Sequence, residues 1–258
     1  MAKRFTQRIG DHLKTPEQKR YYTERLFDEV APRYDFITRA LSFWRDKSWK
    51  RHLVTALPFY DRPVCVDLAC GTGDIVGLLA RRYREAHVVG LDLTDRMLDI
   101  ARRRNGRSNV WFVRQDMGNL GIASESVDIV TGGYALRNAP DLAVTLEEIH
   151  RVLKPEGVAA FLDFSRPRAA AAQRVEYWLL KLWTGFWGLL LHRNAEVYGY
   201  IAESLQCFPD RFQLRDILRD EGFTVTGSRL GFFGVVELLV VRKAAQDRAG
   251  TTGPLRHR

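Results

Sequence analysis

The chain reads as one α/β domain: a Rossmann-like, doubly wound sheet of seven strands with helices on both faces and an N-terminal helical cap. Three observations predict this. A β-branched run at 64–68 passes through a glycine turn, Ala69-Cys70-Gly71-Thr72-Gly73, into an apolar stretch of helical character at 75–80. Two more strand-like runs, 88–91 and 110–113, lead to acids, Asp92 and Asp116. Strand and helix patterns then alternate as far as two closing apolar runs, 223–230 and 235–241, which supply an antiparallel last strand.

Taken in order, residues 1–16 are polar and basic and read as a flexible lead-in. Pro16 suits a first helical turn, and Tyr21, Leu26, Phe27 and Val30 recur at helical spacing until Pro32 breaks the pattern. A second apolar stripe covers 34–44, and a third helix runs from Trp49 towards Leu57. Pro58 and Pro63 close this prelude, so 17–58 is the cap and 17–243 the folded domain.

The loop after the first strand is the centre of the reading. Gly71 and Gly73 permit a sharp turn and close approach to a ligand. The spacing is not that of a dinucleotide fingerprint, because Val76 stands where a third glycine is needed. Nor does it carry the Lys of a phosphate-binding loop. Asp67 followed by Ala69, Gly71 and Gly73 resembles motif I of S-adenosylmethionine-dependent methyltransferases, with Ala69 where a glycine is common there. That cofactor has no pyrophosphate, so the absent phosphate cradle is consistent with it. An acid ending the second strand can accept both hydrogen bonds of a ribose diol, which is the role expected of Asp92 beside Leu93. Asp116, beside Met117, is expected near an adenine amino group. Asp95 reads as a helix cap.

A fourth strand at 127–131 leads into Gly132-Gly133-Tyr134-Ala135-Leu136-Arg137-Asn138, at the same sheet edge as the acids. Gly133 allows close approach to a methyl donor, and Arg137 and Asn138 fall near the reacting centre. On spacing alone, Arg137 pairing with Asp141 or Asp163 is an equal alternative. A helix at 142–153 stops at Lys154-Pro155-Glu156-Gly157, and a fifth strand at 158–162 leads to Asp163. Further on, 198–207 reads as helix, and Asp210 caps another at 212–220.

The segment 177–191 is apolar on nearly every side and holds Trp178, Trp183 and Trp187, with Arg174, Lys181, His192 and Arg193 around it. It is shorter than the roughly 20 residues that span a bilayer. Within an insertion at 174–193, it suits a membrane interface or a channel for an apolar substrate; a helix buried under the cap, or a homodimer contact, is the alternative.

The 258 residues carry a net charge of +9, which favours an anionic partner such as a membrane surface. Part of that charge lies in 242–258, and 244–258 reads as a disordered tail. The first residues lack the apolar core of a secretory signal. Cys65, Cys70 and Cys207 have no metal-ligand spacing, so no metal is expected, and a reduced cytoplasm is the simplest setting.

Several motifs together resemble the C-methyltransferases of menaquinone and ubiquinone biosynthesis. They are Tyr34-Asp35 with Leu41-Ser42-Phe43 and Trp49-Lys50; the loop from Asp67 to Asp74; Leu136-Arg137-Asn138; Arg151-Val152-Leu153-Lys154-Pro155; Phe164-Ser165-Arg166-Pro167; and Ala202-Glu203-Ser204 with Phe208-Pro209. They span about 27–243 in the family's order. The resemblance implies methyl transfer from S-adenosylmethionine to a ring carbon of a reduced, polyprenylated quinone, by a peripheral protein on the inner face of the cell membrane. It implies a cofactor site lined by Thr72, Asp92, Asp116 and Gly133, the last often Ser in the family. Arg137 is then expected to stabilise a phenolate or relay a proton through water. Tyr134, Asn138 and Asp163 are expected to orient the acceptor. Two family histidines are replaced, by Asp46 and Leu239, and Asp163 stands for a family Glu.

Other readings compete. One is an O- or C-methyltransferase of another aromatic or lipid metabolite. Another is a non-catalytic membrane-bound scaffold, against which the intact Asp67, Gly71, Gly73, Asp92 and Asp116 argue. A nucleic-acid enzyme is disfavoured, because the basic residues are scattered rather than interleaved with aromatics.

Overall fold

The computed structural model describes residues 15–192 and 196–244, apart from the side chains of 192 and 196–198. The readings of 1–16 and 244–258 as flexible ends fall almost entirely outside those residues.

Seven strands form one sheet in the order β3-β2-β1-β4-β5-β7-β6. They are β1 (Val64–Leu68), β2 (His87–Asp92), β3 (Val110–Arg114), β4 (Val127–Gly133), β5 (Leu153–Phe164), β6 (Phe223–Gly231) and β7 (Val236–Lys243). The first five run parallel, whereas β7 is antiparallel to both β5 and β6. β1 and β4 are buried almost throughout, as expected of central parallel strands covered on both faces. β1 pairs with β2 on one side and β4 on the other. The chain reverses its winding there, so the crevice beyond the carboxyl ends of these strands is a natural ligand site.

Helices cover both faces: α4 (Asp74–Arg82), α5 (Asp95–Arg104), α7 (Leu142–Val152) and α10 (Arg211–Asp220), with a single turn, α6 (Ala135–Asn138), at the sheet edge. Asp210 caps α10 in a reciprocal capping box with Gln213. The expected cap of α5 differs. Thr94 occupies the N-cap, and Asp95, one residue on, pairs with Arg114 at 3.0 Å.

The cap consists of α1 (Pro16–Val30), α2 (Tyr34–Leu41) and α3 (Asp46–Thr55), the last beginning three residues before Trp49. Tyr22, Leu26, Val30 and Ile37 form a small core with Tyr200. Tyr200 lies on α9 (Glu196–Cys207), which with α8 (Ala170–His192) completes the roof. Lys19 ties α1 to α6 by donating to the Ala139 carbonyl.

The Trp-rich segment is one helix, α8, and its faces differ. Val175, Trp178, Leu179, Leu182, Phe186 and Leu189 form an exposed stripe at helical spacing. Trp183 and Trp187 turn inward instead: Trp183 stacks on Phe43, and Trp187 meets Phe36 edge-on. Only one of the three tryptophans therefore belongs to the outer face. No helix among the described residues is long and apolar enough to cross a membrane.

Candidate active site

The loop after β1 turns through three left-handed residues, Ala69 (φ 47°), Gly71 (φ 53°) and Gly73 (φ 80°). At Gly73 the left-handed backbone favours glycine, and an added Cβ would crowd Ala101 Cβ at 3.1 Å and Phe112 Cζ at 3.2 Å. Ala69 adopts the same backbone region at some strain, at the position where related loops carry glycine.

Asp92 organises the loop. Its Oδ2 accepts the Gly71 N–H at 2.8 Å and its Oδ1 accepts the Thr94 N–H at 2.9 Å. The Leu93 N–H and the Thr94 hydroxyl also bond to this carboxylate. Burial pushes its pKa up, against the pull of these N–H groups. Ala69, Gly71, Asp92, Leu93, Met117, Gly133, Tyr134 and Asn138 line the cleft beside it, and Thr23, Glu24 and Phe27 of α1 form its outer wall. The free volume is about 50 Å³. The other expected residues stand further back. Thr72 donates to Asp35 of the cap at 2.7 Å. Asp116 pairs with Arg20 at 3.2 Å and accepts from the Gly118 N–H.

Asp67 is a buried support beneath the loop. One oxygen accepts from Thr131 at 2.7 Å, and the other has no hydrogen-bond partner among the described residues. Burial raises its pKa to about 7. The folded protein therefore holds this proton more tightly than the unfolded chain does, and stability falls as pH rises from about 4 to 7. Asp67→Asn keeps the Thr131 bond and removes the cost of a buried charge. At pH 8 the variant is expected to melt about 5 °C above the natural protein, and the difference should vanish below about pH 4. Thermal melts across that range, without ligand, check this.

The donor set fits S-adenosylmethionine. Buried or partly buried acids at the ends of β1, β2 and β3 would repel a pyrophosphate. They suit a diol, an adenine amino group and a ligand carrying positive charge.

A second cavity, of about 690 Å³, lies between the cap, α8 and α9. Phe27, Tyr34, Tyr134 and Asn138 line both spaces, so they form the partition between cleft and cavity. Most of its lining is apolar. Leu179, Leu182 and Phe186 line it and are also exposed, so it opens to the surface through α8.

Arg137 is buried in its wall. Its backbone N–H donates to Asp163 Oδ2 at 3.0 Å, and Nε faces Asp163 Oδ1 at 3.6 Å. Nη1 donates to Ser204 Oγ, and the guanidinium lies 5.2 Å from the Phe164 ring centre and 5.8 Å from that of Tyr200. The pairing partner is therefore Asp163; Asp141 caps α7 instead. Burial raises the Asp163 pKa, and Arg137 opposes that shift. Asn138 Nδ2 donates to the Tyr134 carbonyl at 2.6 Å, and its Oδ1 has no partner among the described residues.

Tyr134, in a left-handed conformation (φ 60°), donates to Asp46 at 3.1 Å. Asp46 also binds Lys50 at 2.8 Å, and Lys50 reaches Asp74 at 3.0 Å. The residue replacing one family histidine thus ties the cap to the loop helix. Leu239, at the other, is buried opposite Phe161 in the sheet and does not line the large cavity.

Residues the sequence reading did not name as site residues include Tyr34, Tyr200, Ser204 and Glu176. Ser204 was visible only as part of a motif. Glu176 was visible as a lone acid beside an apolar run.

The model of the ubiE/COQ5 methyltransferase family matches residues 14–241. A 2-phytyl-1,4-naphtoquinone methyltransferase of Thermosynechococcus vestitus is 36% identical over 206 residues, covering 78% of this chain and 89% of that protein. A demethylmenaquinone methyltransferase of Thermotoga maritima is 32% identical over 217 residues, covering 84% and 93%. Among solved structures, an S-adenosylmethionine-dependent methyltransferase from Mesorhizobium loti superposes with a TM-score of 0.54 at 19% identity, over 74% of this chain and 95% of that one. That likeness concerns the fold. With the strand-end acids, the glycine turn and the Leu-Arg-Asn turn all inside the matched span, the chain belongs to the ubiE/COQ5 methyltransferase family.

Proposed function

We propose that this methyltransferase carries the methyl group of S-adenosylmethionine to a ring carbon of a reduced, polyprenylated quinone, a demethylated naphthoquinol rather than a benzoquinol. The observation that carries the reading is the paired architecture. An acid-lined cleft and a large apolar cavity share one wall; Asn138 stands at that wall, and Arg137, the next residue, lines the cavity side alone. The cavity's length of apolar lining suits an isoprenoid tail, and its opening through α8 lets such a tail run outward. The choice of ring follows the two relatives above, both named for naphthoquinones.

The cofactor supplies an electrophilic methyl on a sulfonium. Asp92 orients its ribose, and the loop from Ala69 to Gly73 lets the backbone approach it. Tyr134 and Asn138 stand between the two spaces, where a methyl group and a ring carbon would have to meet in line. Arg137 faces the developing phenolate, held in place by Asp163 and Ser204 so that little reorganisation is required. Apolar walls exclude water and strengthen that interaction.

The test is methyl transfer from labelled S-adenosylmethionine to a reduced demethylmenaquinol in detergent, with a demethylated benzoquinol as comparison. The expected product carries the label on a ring carbon, and the naphthoquinol turns over faster. Tight cofactor binding with no product from either acceptor would overturn the reading.

The same reading makes the protein a peripheral one at the inner face of the cell membrane. The exposed stripe on α8 and the net charge of +9 support this. Trp178 and Leu189 are 55% and 59% exposed, and neither lines the cavity. Burying one such side chain is worth about 1.5–3 kcal/mol. Trp178→Glu with Leu189→Glu is expected to weaken co-sedimentation with anionic liposomes by about 100-fold or more. Turnover of a short-tailed acceptor in detergent should stay near that of the natural protein.

A further inference from the structure

Aromatic C-methylation releases one proton overall, and the ring becomes nucleophilic only after a hydroxyl gives up its proton. The large cavity offers few groups to take it. Arg137 is engaged by Asp163 and Ser204 and is a donor in any case. Tyr34 is pushed up to about 12 by burial, and burial lifts Tyr134 well above the usual phenol range, so both remain protonated. Asn138 cannot accept a proton at neutral pH.

One carboxyl remains among the described residues lining the cavity: Glu176, on the inner side of α8. Its Oε1 is buried and has no hydrogen-bond partner among the described residues. Buried carboxyl oxygens are rarely left so, and an unpaired acceptor on a cavity wall calls for a donor from a ligand. Glu176 is also a lone acid in a run, Val175 to Trp178, that would otherwise be apolar or aromatic.

We infer that Glu176 is the proton acceptor for the ring hydroxyl. Resting on the acceptor class proposed above, the step balances as follows. The hydroxyl O–H bond breaks, its proton moves to the Glu176 carboxylate, and its electron pair enters the ring. The ring carbon forms a bond to the methyl group while the carbon–sulfur pair stays on sulfur. The ring C–H proton then passes to water, and Glu176 returns its proton to the ring oxygen. One proton is released in all.

The electrostatics fit that role. Burial raises the Glu176 pKa to about 7, against the pull of Arg166 and Arg211. Arg166 is anchored on the carbonyls of Gln206 and Phe208 and on Gln173, and Arg211 on the Gly234 carbonyl, so neither forms a close ion pair with Glu176. Arg137 is the other charged group on the cavity wall. A base poised near neutrality serves both halves of the cycle.

The experiment is the pH dependence of kcat at saturating cofactor, with a reduced demethylmenaquinol in detergent, for the natural protein, Glu176→Gln and Glu176→Asp. The natural protein is expected to lose activity as pH falls through about 7, as the carboxylate becomes protonated. Glu176→Gln is expected to lower kcat by about 100-fold or more and to abolish that acidic limb. Glu176→Asp should recover part of the rate and restore the limb, with cofactor affinity unchanged in both. A natural profile flat from pH 5.5 to 8.5, about, would overturn the inference without any variant. So would a Gln variant that keeps both rate and limb. Failure of the natural protein to methylate any quinol would instead remove the acceptor reading on which the inference rests.

Discussion

Arg137→Ala is expected to lower kcat for methyl transfer by about 10²–10³-fold while leaving cofactor affinity within a few fold. The reason is placement. The guanidinium is on the wall of the large cavity, fixed by Asp163, Ser204 and two aromatic rings, and it does not line the cleft beside Asp92. The same substitution is expected to destabilise the fold by about 3–5 kcal/mol, because it strands the buried Asp163 carboxylate. Arg137→Ala combined with Asp163→Asn separates the two effects. Removing both charges should recover much of the lost stability and none of the lost rate. Stopped-assay kinetics with melting curves on the natural protein and the two variants check this; recovery of rate in the double variant would mean that Arg137 acts through stability alone.

Asp92→Ala is expected to produce the largest loss of cofactor affinity. Hydrogen bonds to a charged group are worth about 1.5–3 kcal/mol each, so losing both diol contacts should weaken binding by about 10²–10⁴-fold. The loop should loosen as well, because the Gly71 and Thr94 N–H groups lose their acceptor. Asp92→Asn leaves one good acceptor and is expected to fall between. Titration calorimetry with S-adenosylmethionine measures this directly. A change below about threefold would show that the ribose is held elsewhere.

Much of the fold was legible because its signals are local. The β1 run, the loop and the start of α4 follow from β-branched residues, two glycines and a return of helical periodicity within about a dozen positions. The helical cap was equally visible from the prolines that bound it. Boundaries moved by a few residues where packing overrode pattern, as at Asp46. There α3 begins early because Asp46 is buried against Tyr134, 88 positions further along the chain, while pairing with Lys50 one turn on in the same helix.

By itself, the sequence determined the fold class, the glycine loop with its strand-end acids, the Leu-Arg-Asn motif that holds Arg137 and the presence of an unusually apolar segment at 177–191. These depend on residue type and on neighbours in the chain. Only the tertiary structure decided that Arg137 pairs with Asp163 rather than Asp141. It also decided that Trp183 and Trp187 face inward while Trp178 faces out, that Leu239 belongs to the sheet core, and that Glu176 is the lone carboxyl among the described residues on the cavity wall. Each depends on which side of an element meets which distant partner. Both faces of α8 are apolar, so periodicity cannot orient it, and only its packing against α2 and α9 picks the inner side.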